Sequence, residues 1–508
     1  MFRQFLRVAA IASFLSAVLG PNLLAQSASS PRYGGTLNVG MEADFPTLDP
    51  LGMGALAERQ VGMAVYDTLL EIDEKGAIRP GLAEKFLLAP DARSVTLTLR
   101  SGVKFHDGTP FDAEAVVFNF KRLRDPANKC RCSADLASLA DVVALGPLEV
   151  EFRFSSPSSH FLSVLADVAG LMISPTAVSK LDKGYGQAPV GTGPFMYKEW
   201  RKGNYFHAVR NPDYWRKGLP YLNDVFYRPM PDDQTRQAAL AAGNIDISLV
   251  PAARDVAAAI RDKSFKVIDP GGLGTVFVMI SWRADSVQDP RVRQALAYAT
   301  DRAALNKAIN RGIYKLARTP FGSGLFPHEK VEGFREFNLK KAQALVREVG
   351  KPVKVKLSVT ASPNSIQTAQ ALQQMWKKAG IETEIDQQEQ VQLIRNAINN
   401  NFEIMIFRWP GRADPDANVY QFFHSKSMRN YTRYSDPGMD KALEAGRVAV
   451  DQTERLKHYS NVNDILARDV VYHFLHYYTP FMLAGKNVEG IPLIPDGLLR
   501  SGFVWKGP

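Results

Sequence analysis

Cysteine is almost absent from this chain: Cys130 and Cys132 are the only two in 508 residues. A disulfide-built framework is therefore excluded, and two isolated thiols do not complete a tetrahedral zinc site without histidine or carboxylate help. They read as a local disulfide or as inert thiols, with redox or metal chemistry as the competing reading. No block of Lys or Arg stands out. The formal charge of +10 comes from 62 basic and 52 acidic side chains that interleave along the chain. This is a solvated, mildly basic surface and not a nucleic-acid-binding tract. Beyond the N-terminal residues no stretch is long and apolar enough to span a bilayer. There is no HExxH, no phosphate loop and no GxSxG elbow. Gly322-Ser-Gly324 is too short for the last, and no Lys-Ser/Thr follows the Gly-x-Gly at Gly191.

What is present is ordinary soluble composition, 45% hydrophobic and 22% charged, in a chain long enough for two or three domains. Arg3 and Arg7 precede an apolar run from Val8 to Leu19, which Gly20-Pro21 breaks. That order predicts an export signal over residues 1–25, cleaved after about Ala25, with no cysteine nearby to carry a lipid.

The stretch Ser94–Phe120 organises the chain. Val95, Leu97 and Leu99 alternate with polar residues, as in a half-buried strand. His106-Asp-Gly-Thr-Pro110 is a turn, and Asp112 caps a helix carrying Val116, Phe120 and Leu123 on one face. A second strand alternates from Leu148 to Phe154. A helix is expected through Val61, Val65 and Leu69, and another opens at Asp289-Pro290. Between residues 353 and 407 three strands alternate with two helices, Ile366–Ala379 and Val391–Ile398, which predicts a separate α/β lobe with a covered parallel core.

Just past the third of those strands comes Arg408-Trp-Pro-Gly-Arg-Ala-Asp-Pro-Asp416. Open α/β sheets bind ligands at the C-terminal ends of parallel strands. Trp409 suits stacking, and Arg412 suits a paired contact with a carboxylate or phosphate. Asp414 and Asp416 are placed to hold Arg412 or to cap the Pro415 turn; the competing reading is a self-satisfied surface loop. Arg408, Met53 in the Leu51–Gly54 loop and Tyr477 complete the candidate ligand contacts. His473 and His476, three apart, would share a face if their stretch were helical. With no cysteine or carboxylate beside them, packed or exposed histidines are expected in preference to a metal site.

Several strings carry a further resemblance: Arg100-Ser-Gly-Val-Lys-Phe-His-Asp-Gly-Thr-Pro-Phe-Asp-Ala, Pro189-Val-Gly-Thr-Gly-Pro, Asn211-Pro-Asp-Tyr-Trp215 and Asp289–Arg302. Together they resemble the family 5 extracytoplasmic solute-binding proteins of ABC importers, the peptide/nickel type. The resemblance implies an α/β fold of two lobes around a cleft, with an extra subdomain in the first lobe. Residues 34–75, 191–275 and 480–508 would form the first-lobe core, 76–190 the subdomain and 276–479 the second lobe, with crossings near Gly274–Ser281 and Thr479–Pro480. It implies a periplasmic monomer that binds a peptide-like solute and hands it to an inner-membrane ABC permease, with no cofactor, catalytic residue or nucleic acid. Peptide-binding members of the family often carry an Asp three residues after the Trp, where it meets the ligand ammonium. Here that position is Arg412, so the ligand is expected to present an anion: an acidic peptide, an opine-type conjugate or a metal chelator. The reading from another class is a secreted, metal-assisted hydrolase using His473 and His476.

Overall fold

The computed structural model describes residues 30–322 and 331–508; the expected export signal over residues 1–25 lies outside these. Three sheets carry the fold. The first has seven strands in the order Lys266–Ile268, Met482–Ala484, Ile247–Leu249, Thr36–Met41, Asp224–Pro229, Tyr205–Arg210 and Phe195–Arg201. Leu37, Val39 and Met41 of its central strand are fully buried. The strand at Met482–Ala484 returns from far along the chain to pair antiparallel with Ile247–Leu249 and Lys266–Ile268. The first-lobe sheet is therefore completed by a strand that follows the second lobe in sequence.

The second lobe is built on five strands in the order Ile381–Gln388, Val353–Thr360, Ile404–Trp409, Gly274–Ile280 and Tyr472–Tyr478. The first three are parallel and joined by the helices Pro363–Lys378 and Gln390–Asn399, as the sequence periodicity predicts. The first of these helices starts three residues earlier than its apolar pattern, because Ser362 caps it and Pro363 occupies its first turn. The Gly274–Ile280 strand runs antiparallel to both neighbours. Its side chains alternate between two buried clusters. Val278 and Ile280 pack with Leu357 and Trp376. Phe277 and Met279 pack with Met405, Phe422 and Tyr472. A sheet covered on both faces needs such near-continuous apolar strands.

The crossing expected near Gly274–Ser281 from the lobe order lies just before it, because Gly274–Ile280 is an interior strand. The chain passes between the sheets at residues 269–273 and 479–481.

A third, four-stranded antiparallel sheet forms the subdomain, in the order Ala83–Leu88, Ser94–Leu99, Glu149–Phe154 and Leu139–Gly146. Val95, Leu97 and Leu99 are buried, as their alternation requires. The Asp112 side chain caps the helix Ala113–Arg124, accepting from the Ala115 amide at 2.9 Å. Phe120 of that helix packs edge-on against Phe152 of the sheet. Cys130 and Cys132 form a disulfide at the rim of this core.

The helix Leu56–Val65 stops before Leu69, because Tyr66 is extended and Asp67 enters a polar junction. There the Asp67 carboxylate accepts from the Tyr214 hydroxyl (2.9 Å), the Trp215 indole (2.8 Å) and the Thr192 hydroxyl (3.2 Å). Asn211 donates to the Gly193 carbonyl, and so does His106 Nε2, while His106 Nδ1 accepts from the Gly191 amide. Gly191 and Gly193 pass so close to Val65 that a Cβ on either would lie 2.3 or 2.5 Å from its carbonyl group. Three of the four strings that suggest a family thus meet at the seam between the subdomain and the first-lobe sheet, whereas Asp289–Arg302 packs in the second lobe. Burial raises the Asp67 carboxyl to about 6. Asp67→Ala strands a buried indole N–H and a buried hydroxyl, so it is expected to lower unfolding free energy by about 2–3 kcal/mol in urea titrations.

Candidate ligand-binding cleft

A cavity of about 1780 Å³ lies between the lobes. The C-terminal ends of the parallel strands Val353–Thr360 and Ile404–Trp409 open into it, Thr360, Arg408 and Trp409 being among its lining residues. The first lobe contributes Met53, Arg59, Asp135 and Asp167. An apolar wall from the second lobe includes Leu393, Ile394, Phe407, Phe422 and Tyr431. Such a cleft, with an apolar wall and many charged side chains around it, suits a solute with both an apolar body and polar ends.

Of the residues chosen from sequence, Met53, Arg408, Trp409 and Arg412 line this cavity, whereas Asp414 and Tyr477 are not among its lining residues. Tyr477 lies on the last strand of the second-lobe sheet, paired with Thr275, between the lining residues His476 and Tyr478. Trp409 ends its strand with the ring edge-on to Phe422 and its indole N–H donating to Asn418 Oδ1 at 2.9 Å. The same Asn418 oxygen accepts from the Arg412 amide, and the Asn418 amide nitrogen donates to the Arg412 and Asp414 carbonyls. Asn418 is the buried template of the loop. Nothing in its sequence context announces this, because the helix Pro415–Phe423 has to form first to bring it under the loop. Gly411 adopts φ 81° and lies so close to Leu273 that a Cβ would sit 2.0 Å from that residue's backbone.

Of the two roles expected for Asp414 and Asp416, capping the Pro415 turn is the one Asp414 takes, and neither holds Arg412. Asp414 caps the helix Pro415–Phe423 and takes two hydrogen bonds from Arg455, at 3.0 and 2.7 Å. Asp416 is paired with Arg447 at 2.6 Å and accepts from the Tyr459 hydroxyl. Arg412 instead reaches across the cleft. Its Nε lies 2.7 Å from the Asp167 carboxylate of the subdomain, which also meets Arg59 at 2.9 Å. Burial pushes the Asp167 carboxyl up, but Arg59 and Arg412 more than offset this and hold it below the ordinary value. A ligand anion is expected at Arg412 only if its guanidinium is uncompensated. Its charge already has a counter-charge from the opposite lobe. A second contact joins the lobes nearby, where the Ser159 hydroxyl donates to the Arg447 carbonyl at 2.7 Å.

His473 and His476 lie on a strand and not on a helix. The His473 ring stacks on Phe334 and the His476 ring on Tyr314. Among the described residues no group of three or more His, Cys, Asp or Glu is placed to hold a metal ion. Burial lowers both imidazoles, His473 to about 3, so each is a neutral, packed ring.

Two α/β lobes, two chain crossings and a lined cleft between them define a two-lobed binding protein. The chain belongs to the bacterial extracellular solute-binding proteins, family 5, whose model matches residues 77–430. It is similar to the oligopeptide-binding protein AppA of Bacillus subtilis (strain 168), 28% identical over 528 residues, covering 97% of this chain and 96% of that one. It is also similar to the probable di/tripeptide-binding protein 5 of Pseudomonas aeruginosa (strain UCBPP-PA14), 29% identical over 534 residues, with 97% and 98% covered. The solved structure of AppA in complex with a nonapeptide matches with a TM-score of 0.81 at 25% identity, over 94% of this chain and 100% of that one. The protein is thus a solute-binding protein, and the hydrolase reading is not favoured.

Asp167→Asn leaves Arg59 and Arg412 facing each other without a counter-charge. It is expected to cost about 3 kcal/mol of stability. In a double-mutant cycle with Arg412→Gln the losses should fall short of adding by about 1 kcal/mol or more. His473 supplies a pH test. Its folded-state value lies below the ordinary 6.5, so its contribution is whole above 6.5 and falls away as the pH drops toward 3. Urea unfolding between about pH 7 and pH 4 should lose stability more steeply in the parent than in His473→Gln.

Proposed function

We propose that this protein captures peptides or peptide-like solutes in the periplasm and delivers them to an inner-membrane ABC permease. The observation that carries the reading is the cleft itself, about 1780 Å³ in volume, with charged groups from both lobes and an apolar wall between them. A peptide presents the complementary mixture of charged ends, backbone and side chains. The full-length similarity to an oligopeptide-binding and a probable di/tripeptide-binding protein supports the same ligand class. Export fits the charged-then-apolar N-terminus, and among the described residues no helix is long and apolar enough to cross a membrane. The ligand lies against Trp409, with Met53 from the first lobe and Arg408 and Arg412 from the second; Asp414 acts through the loop, not by contact.

Binding closes the lobes about the crossings at 269–273 and 479–481, since a ligand touching both favours the closed state. The test is retention of a peptide pool by the purified protein, read by mass spectrometry, with small-angle scattering before and after loading. Stoichiometric retention without turnover, and compaction on loading, are expected. Trp409→Ala should weaken binding about tenfold or more. Retention of no peptide, or steady product release, overturns the reading.

A further inference from the structure

The charged side chains lining the cleft are not equivalent. Arg412 and Arg59 are both engaged by Asp167, and Arg429 donates to Gln421. Arg408, like Arg311 on the same lining, is engaged by no such partner. It projects from the second-last residue of its strand into the cavity and is exposed there. Its guanidinium rests over the Tyr478 ring, 4.7 Å from the centroid. Among the described residues it makes no hydrogen bond and has no carboxylate within ion-pairing distance. Glu42 feels its charge without pairing to it: burial raises that carboxyl, while Arg236 and Arg408 pull it back down.

The position matters as much as the missing partner. Arg408 is in register with Val276, and Val276 with His476 on the far side. Paired residues share a face of a sheet, so the three emerge together into the cleft, whose lining includes all of them. His476 is kept neutral by burial, which leaves Arg408 the fixed charge of this row. The row lies beside both chain crossings, at residues 269–273 and 479–481. Closing the cleft removes water from the guanidinium, and a buried, unpaired charge is costly. A planar fork of unused N–H groups matches a carboxylate in two-point geometry, and Tyr478 holds the plane of the fork in place.

We propose that Arg408 anchors a carboxylate of the ligand at the floor of the cleft, between the crossings, and that this contact selects solutes with a free carboxylate. The inference rests on the peptide reading and adds the group recognised and the residue that recognises it. Arg412, tied to Asp167, is not that anchor. The source of the carboxylate, chain end or acidic side chain, is separable.

The experiment offers the full-length mature protein two matched tripeptide pools, one with free C-termini and one C-amidated, and quantifies bound peptides by native mass spectrometry. Parent, Arg408→Gln and Arg408→Lys are compared after confirming equal melting temperatures, which the exposed, unbonded side chain should allow. The parent is expected to prefer the free acids at least tenfold. Arg408→Gln should lose that preference, and Arg408→Lys should keep part of it, retaining charge without the fork. If the only amidated peptides retained by the parent carry Asp or Glu, the anchored group is a side-chain carboxylate. Retention of both pools by the parent irrespective of Asp or Glu content, or an undiminished preference for carboxylate-bearing peptides in Arg408→Gln, overturns the inference and leaves the peptide reading intact. Retention of neither pool overturns the peptide reading and this inference with it.

Discussion

Asp167 is where the two halves of the molecule meet as charges. Its carboxylate is shared by Arg59 of its own lobe and Arg412 of the other. Three ionised groups leave bulk water together here, and each is tolerable only because the others are present. The arrangement dictates much of the surrounding loop. Arg412 reaches Asp167 because Asn418 holds the backbone on either side of it, and Asn418 is in place because Asp414 caps the helix that carries it. Asp414 and Asp416 have their own cations in Arg455 and Arg447. Each acid of the loop is thereby neutralised locally, and the guanidinium of Arg412 is free to cross the cleft.

The polar seam around Asp67 does a different job. Its members are spread over residues 67 to 215 and none of them lines the cavity. Two glycines pass against the Val65 backbone where any side chain would collide, and the histidine and asparagine satisfy carbonyls that the close approach removes from water. These requirements come from backbone geometry and hold whatever solute is carried. That explains why the recognisable strings of the chain identify a family and say little about its ligand. The side chains that line the cleft are interspersed among ordinary strand and loop residues.

Much of the architecture was legible in the amino-acid order because it rests on local patterns. The alternation in Ser94–Leu99, the Asp112 cap, the Asp289-Pro290 helix start and the β-α-β-α-β order of the second lobe each depend on residues within a few positions of one another. Histidine spacing misled about the element but not about the role, since both rings are packed as expected. His473 and His476 are spaced as on a helix face, yet they belong to a strand, where burial of both sheet faces overrides spacing. A register shift beside Val276 lets both pair with residues on one face of the neighbouring strand despite their odd separation.

The order of residues by itself determined a separate α/β lobe, an expected export signal, and a Trp-centred loop at the end of a parallel strand, while the two-lobed plan was implied by the family resemblance. Only the tertiary structure decided which charges in that loop are used up and which are free. Arg412 and Asp167 are 245 positions apart, and Arg408 meets Tyr478 across 70. No local pattern encodes such a meeting. Whether a guanidinium is neutralised depends on what the folded chain brings within a few ångströms of it, since charge interactions in a partly dry cleft are decided by distance in space and not by distance in sequence.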